Sequence, residues 1–190
     1  PKNQAGLIWN IADILRGGWK QHEYQDVILP LVVLKRLDNV LATNKQKVLQ
    51  TYNQMHGTMS DESLVHFLEK EAGYKFYNTS PYDFKKLLDD SEGIYANFIN
   101  YLDGFSPNVR DIVTKFEFQK QLNKLKSGKM LHLVLKELDK VDLRTEIVNN
   151  HDMGYIFEEL IRKFNEQSNE TAGEHYTPRE VIRLMVRLLL

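Results

Sequence analysis

Apolar residues recur along this chain at spacings of three and four, and nowhere do they alternate strictly with polar ones over more than a few positions. That period is the signature of helices with one buried face, and it excludes a sheet built on half-buried strands. Leu7, Ile8, Ile11, Ile14 and Leu15 share one helical face, which Gly17-Gly18 interrupts. A long helix is predicted from about Glu23, carrying Val27, Leu31, Leu34, Leu37 and Leu41 inward. Pro30 would kink it or mark its first turn. The run 46–55 reads as its continuation, ended by Gly57. Ser60 followed by Asp61 and Glu62 gives a hydroxyl cap with acids in the first turn. That helix is expected to bury Leu64, Phe67 and Leu68 and to stop at Gly73. Residues 74–82 are aromatic and turn-rich, and suggest a short extended pair. Further helices are predicted over 83–89, 94–102, 107–114, 117–126 and 130–141, so the fold class is mainly α.

A second unit is expected to follow. Residues 142–151 are polar and poorly periodic, as a linker would be, whereas Met153, Ile156, Phe157, Leu160, Ile161 and Phe164 form a clean helical stripe. A polar loop is predicted over 167–173 and a last helix opening at Thr177. The expected division is a helical domain over 1–145 and the opening of another over 146–190.

Composition narrows the function classes. The longest apolar stretch, 27–34, is far below the roughly 18 residues of a membrane span, so no membrane partner is expected. With no cysteine there is no disulfide, thiolate zinc site or thiol nucleophile, which fits a cytoplasmic location. Lys+Arg 25 against Asp+Glu 26 gives a net charge of −1, so bulk charge does not announce a nucleic-acid binder. The chain opens Pro1-Lys2 without methionine and stops inside the apolar run Leu188-Leu189-Leu190, so it is expected to be part of a longer protein.

Most catalytic signatures are missing. There is no Gly-x-Gly and no Gly-x-Ser-x-Gly. The His22-Glu23 pair has Asp26 where a zinc helix needs its second histidine, and the six histidines show no metal-ligand spacing. Lys115, Lys120, Lys124, Lys126 and Lys129 form a basic stretch that reads more simply as a solvated face than as a phosphate-binding one. Arg179, Arg183 and Arg187 share a face, again more simply a water-facing one. Asp89, Asp90 and Glu92 read as acidic surface, while Trp9 and Trp19 are either core or interface anchors.

The most informative segment runs from Ala172 through Gly173, Glu174, His175, Tyr176, Thr177, Pro178 and Arg179 to Glu180. Thr177, Pro178 and Glu180 make a capping box with proline at the first helical position. Such a helix start presents bare amide donors to an anion, and Tyr176 adds a flat ring beside it. Read from its chemistry alone, the segment is most simply a well-capped helix.

Gly173-x-His175-Tyr176-Thr177-Pro178, followed by Glu180-Val181-Ile182-Arg183-Leu184-Met185, resembles the cofactor-contacting motif of adenine-specific DNA methyltransferases. The stretch from Asn150 to Arg162 resembles the opening of the catalytic domain in one subgroup, the modification subunits of type I restriction–modification systems. Leu7 to Gly17 and Leu29 to Asp38 are similar to the helical N-terminal domain of that subgroup. The resemblance implies a helical N-terminal domain followed by the opening helices of a truncated α/β S-adenosylmethionine-dependent domain. It implies that Glu174, His175, Tyr176, Thr177, Pro178 and Arg179 line the S-adenosyl-L-methionine pocket. His175 stands where the motif more often carries an aromatic hydrocarbon ring.

The implied reaction moves a methyl group to the exocyclic amine of adenine in DNA, on a base flipped from the duplex. The implied partners are DNA, a specificity subunit, a restriction subunit and a second modification subunit. The family's Asn-Pro-Pro-aromatic loop and glycine-rich motif do not occur in this sequence, so these 190 residues alone are expected to be inactive. Two other readings remain at this point: a non-enzymatic helical interaction module, and a helical DNA-binding domain.

Overall fold

The computed structural model describes residues 2–169. The cofactor segment 174–179, the helix expected from Thr177 and the arginine row lie outside the described residues. Ten α-helices run through the described residues: α1 Lys2–Leu15, α2 Tyr24–Leu41, α3 Lys45–Met55, α4 Asp61–Ala72, α5 Phe84–Leu88, α6 Ile94–Asp103, α7 Pro107–Lys115, α8 Phe118–Ser127, α9 Leu131–Asp139 and α10 Asn150–Asn169. A 3-10 turn, Gln21–Glu23, leads into α2. The mainly α expectation is borne out.

The fold is organised around α2. Val27, Ile28, Leu31, Val32, Leu34 and Leu37 point in different directions around this helix and are all buried, as are Lys35 and Arg36. A helix apolar on every side belongs in the centre, and α1, α8, α9 and α10 lie against it. Pro30 sits inside α2, where it removes one hydrogen bond to the preceding turn, and the helix continues through it. The helix does not run on into 46–55 as expected. It stops at Leu41, Asn44 N–H donates to the Leu41 carbonyl at 3.1 Å, and the Asn44 amide donates to the Ala72 carbonyl at 3.2 Å. Residues 42–44 thus turn the chain so that α3 lies along α4.

The start and end of α4 are where the sequence places them. Ser60 Oγ accepts from Ser63 N–H at 3.3 Å, and Gly73 closes the helix at φ 76°, a left-handed conformation that suits glycine. Phe67 corrects the expectation for this helix. Leu64, Leu68 and Ala72 form the line that is buried, and Phe67 lies off that line, 38% exposed.

Residues 74–82 do not pair with themselves. Asn78 forms an isolated antiparallel bridge with Phe105, with Thr79 N–H donating to the Gly104 carbonyl at 2.8 Å and Ser106 N–H to the Tyr77 carbonyl at 3.0 Å. The crossing is so close that a Cβ at Gly104 would stand 2.5 Å from Ser80 N. Beside it Phe84, Phe98, Tyr101 and Phe105 pack edge-on or stacked, with the Tyr101 and Phe105 rings 5.1 Å apart.

Two further expectations shift at the end of the described chain. The helical stripe from Met153 to Phe164 is buried as read, but α10 begins at Asn150 and extends to Asn169, beyond the loop start expected at 167. The segment expected to be a polar linker, 142–151, buries Leu143 and Val148.

Candidate functional site

Arg36 is fully buried on α2, where every residue from Val32 to Leu37 is buried too. Its guanidinium reaches across the fold to residues more than 100 positions later. Nη1 donates to the carbonyls of Leu143 and of Val148, the latter at 2.7 Å, and Nη2 donates to Asn150 Oδ1 at 2.9 Å. Burial lowers the pKa of the group, and the acceptors at Nη1 and Nη2 replace part of the water it has lost, while Nε is buried without a partner. Two neighbours on α2 hold the same stretch. Lys35 pairs with Asp139 at 2.8 Å, and Asn39 Oδ1 accepts from Leu143 N–H at 2.9 Å. One side of α2 is therefore a binding surface for the backbone that joins α9 to α10.

A cavity of about 510 Å³ opens beside this junction, lined by Asp38, Lys45, Asn78, Asp83 and Tyr101 among others. Three of them, Asp38, Lys45 and Tyr101, are strongly perturbed. Burial pushes the Asp38 carboxyl up to about 6 against the opposing pull of Lys35 and Lys45. Burial likewise pushes the Lys45 ammonium down to about 8, while its Nζ donates to Asn78 Oδ1 at 2.9 Å. The Tyr101 hydroxyl faces Asp38 without a hydrogen bond of ordinary geometry, and burial raises its pKa well above the phenol range. Opposite charges line this cavity in near balance, so it offers no single-signed surface to a charged ligand.

The basic stretch is largely engaged within the fold. Lys115 pairs with Asp111 at 2.7 Å, Lys124 pairs with Glu23 at 2.9 Å and covers the Trp19 ring, and Lys126 lies 4.2 Å from the Tyr95 ring centroid. Asp90 is a local capping group, accepting from Gly93 N–H at 2.8 Å. The two tryptophans separate cleanly. Trp19 is core, its indole N–H donating to the buried Gln121 at 2.8 Å. Trp9 is half-buried on the seam between α1 and α10, its ring 5.2 Å from that of Phe164. The bonding role of Arg36 was not visible in the sequence, where an arginine between Leu34 and Leu37 carries no signal of a distant acceptor.

These features define a class: a helical body whose central helix grips the entry to whatever follows α10. Comparison with known proteins supplies the family. The family described as HsdM N-terminal domain matches residues 5–138, and the one described as N-6 DNA Methylase matches residues 148–190. The chain belongs to the HsdM N-terminal domain family, as its resemblance to modification subunits led us to expect. It is 32% identical over 96 residues to the type I restriction enzyme EcoEI methylase subunit of Escherichia coli, covering 50% of this chain and 19% of that protein. It is 20% identical over 201 aligned residues to the type I restriction enzyme MjaIX methylase subunit of Methanocaldococcus jannaschii, covering 96% of this chain and 34% of that protein. The chain thus spans 19% and 34% of the length of these curated relatives.

Proposed function

We propose that this chain is the N-terminal region of a type I restriction–modification methylase subunit. On this reading a helical domain over 1–145 leads into the start, over 146–190, of an adenine-specific DNA methyltransferase domain. The observation that carries it is the order of the two family matches, 5–138 and then 148–190, which follow one another almost end to end. Both relatives are type I methylase subunits, and the match to one of them covers 96% of this chain.

S-adenosylmethionine would supply an electrophilic methyl group on its sulfonium. The residues assigned to hold it by resemblance are Glu174, His175, Tyr176, Thr177, Pro178 and Arg179. Amide donors at the helix start expected after Thr177 would suit the carboxylate of the cofactor's methionyl part, and the Tyr176 ring would suit its apolar surface. The acceptor is the exocyclic amine of adenine, which must leave the base stack to be reached. Specificity and restriction subunits, DNA and a second copy of the methylase subunit are the partners of this reading, and the cytoplasm is its location.

The test is calorimetric titration of S-adenosylmethionine into a polypeptide in which this chain continues through a full methyltransferase domain. Tyr176→Ala and Thr177→Ala are expected to weaken binding at least tenfold, about 1.4 kcal/mol. Unchanged affinity in both would return the segment to a plain helix cap.

A further inference from the structure

We propose that α10 and the helical body before it move as one rigid unit, and that Arg36 is the positioning residue that locks them. The stretch between the two family matches would then be a strap and not a hinge.

Residues 140–149 are where a swivel would be expected, because they are non-helical and join sequences that belong to two families. A hinge needs few buried contacts and backbone free to change its dihedrals. This strap has the opposite character. Val141, Leu143 and Val148 are buried, and its backbone is bonded at two points, the Leu143 and Val148 carbonyls, to one guanidinium nitrogen, Arg36 Nη1. Asn39 holds the N–H of Leu143 while Arg36 holds its carbonyl, so that residue is clamped from both sides of its peptide unit. The third Arg36 bond goes to the first residue of α10, which fixes where that helix starts. α10 then lays Met153, Ile156, Phe157, Leu160 and Phe164 onto the body, against α1, α2 and the 3-10 turn.

The importance of this coupling for methyl transfer rests on the proposed function, since the helical body would then set the orientation of the domain that α10 introduces. The coupling itself does not rest on it and is measured without cofactor or DNA. The chain has no cysteine, so spin labels attach only where one is introduced. Lys120→Cys with Glu158→Cys spans the strap, and Lys85→Cys with Lys120→Cys lies within the helical body; all three positions are exposed. Pulsed electron paramagnetic resonance on the otherwise wild-type chain is expected to give one narrow distance for each pair.

In Arg36→Met the pair across the strap should lose its single narrow peak while the pair within the body keeps it. A merely structural loss would broaden both. Should Arg36→Met broaden both, Arg36→Lys and Asn150→Ala carry the same expectation, since the first breaks up the guanidinium's set of bonds and the second removes its bond to α10, each with a smaller insult to the core. A broad or two-peaked distance across the strap in the wild-type chain overturns the rigid unit. An unchanged narrow distance in the folded Arg36 variants overturns the role of the arginine.

Discussion

A guanidinium removed from water loses several kcal/mol of hydration, and Arg36 remains buried because fixed carbonyls and an amide oxygen stand in for that water. Those acceptors depend on it equally. Arg36→Met should cost about 2–5 kcal/mol in urea denaturation, because it strands two buried carbonyls, and Arg36→Lys should recover only part. This residue was illegible in advance because its acceptors lie 107 to 114 positions away. Asp38, two residues further on, makes a pH-dependent prediction. Its carboxyl is raised to about 6 in the folded chain, so the native state binds the proton more tightly than the unfolded one. Its contribution to stability is therefore present at low pH and is lost as pH rises from the ordinary carboxylate range through about 6. Asp38→Asn should stabilise the chain at pH 7.5 by about 1–3 kcal/mol and give little at pH 4, as thermal unfolding at the two pH values will show.

At the scale of elements, periodicity alone was enough where a helix has a single apolar face. The stripe of α10 and the cap and stop of α4 were readable for that reason. It was insufficient where partners decide. The break between α2 and α3 comes from Asn44 reaching the end of α4, and the strand-like segment near Asn78 pairs with Phe105, residues that no local pattern connects. Phe67 was misjudged because α4 lies along α3 on a line that omits it. Two substitutions test these placements. Phe164→Ala removes the ring that Trp9 meets, and should cost about 3–4 kcal/mol and raise hydrogen exchange in α10 ahead of the rest. Gly104→Ala forces the 104 and 80 backbones apart, and should lower the unfolding midpoint more than Gly154→Ala, where a Cβ meets nothing.

Across the whole molecule, the sequence and the structure carry different parts of the account. Family membership rests on the match over residues 5–138, while the structure shows how that helical body is fastened to the start of α10. The candidate cofactor segment was assigned from the resemblance of its motif alone, and it lies outside the described residues. The central claim is that this helical body leads into a domain that binds S-adenosylmethionine through the segment around Tyr176 and Thr177. The most direct measurement is the affinity of the chain, continued through its full methyltransferase domain, for S-adenosylmethionine with and without Tyr176→Ala. The account predicts saturable binding that the substitution weakens at least tenfold, about 1.4 kcal/mol. Equal affinity in the two proteins, or no binding in either, would contradict it.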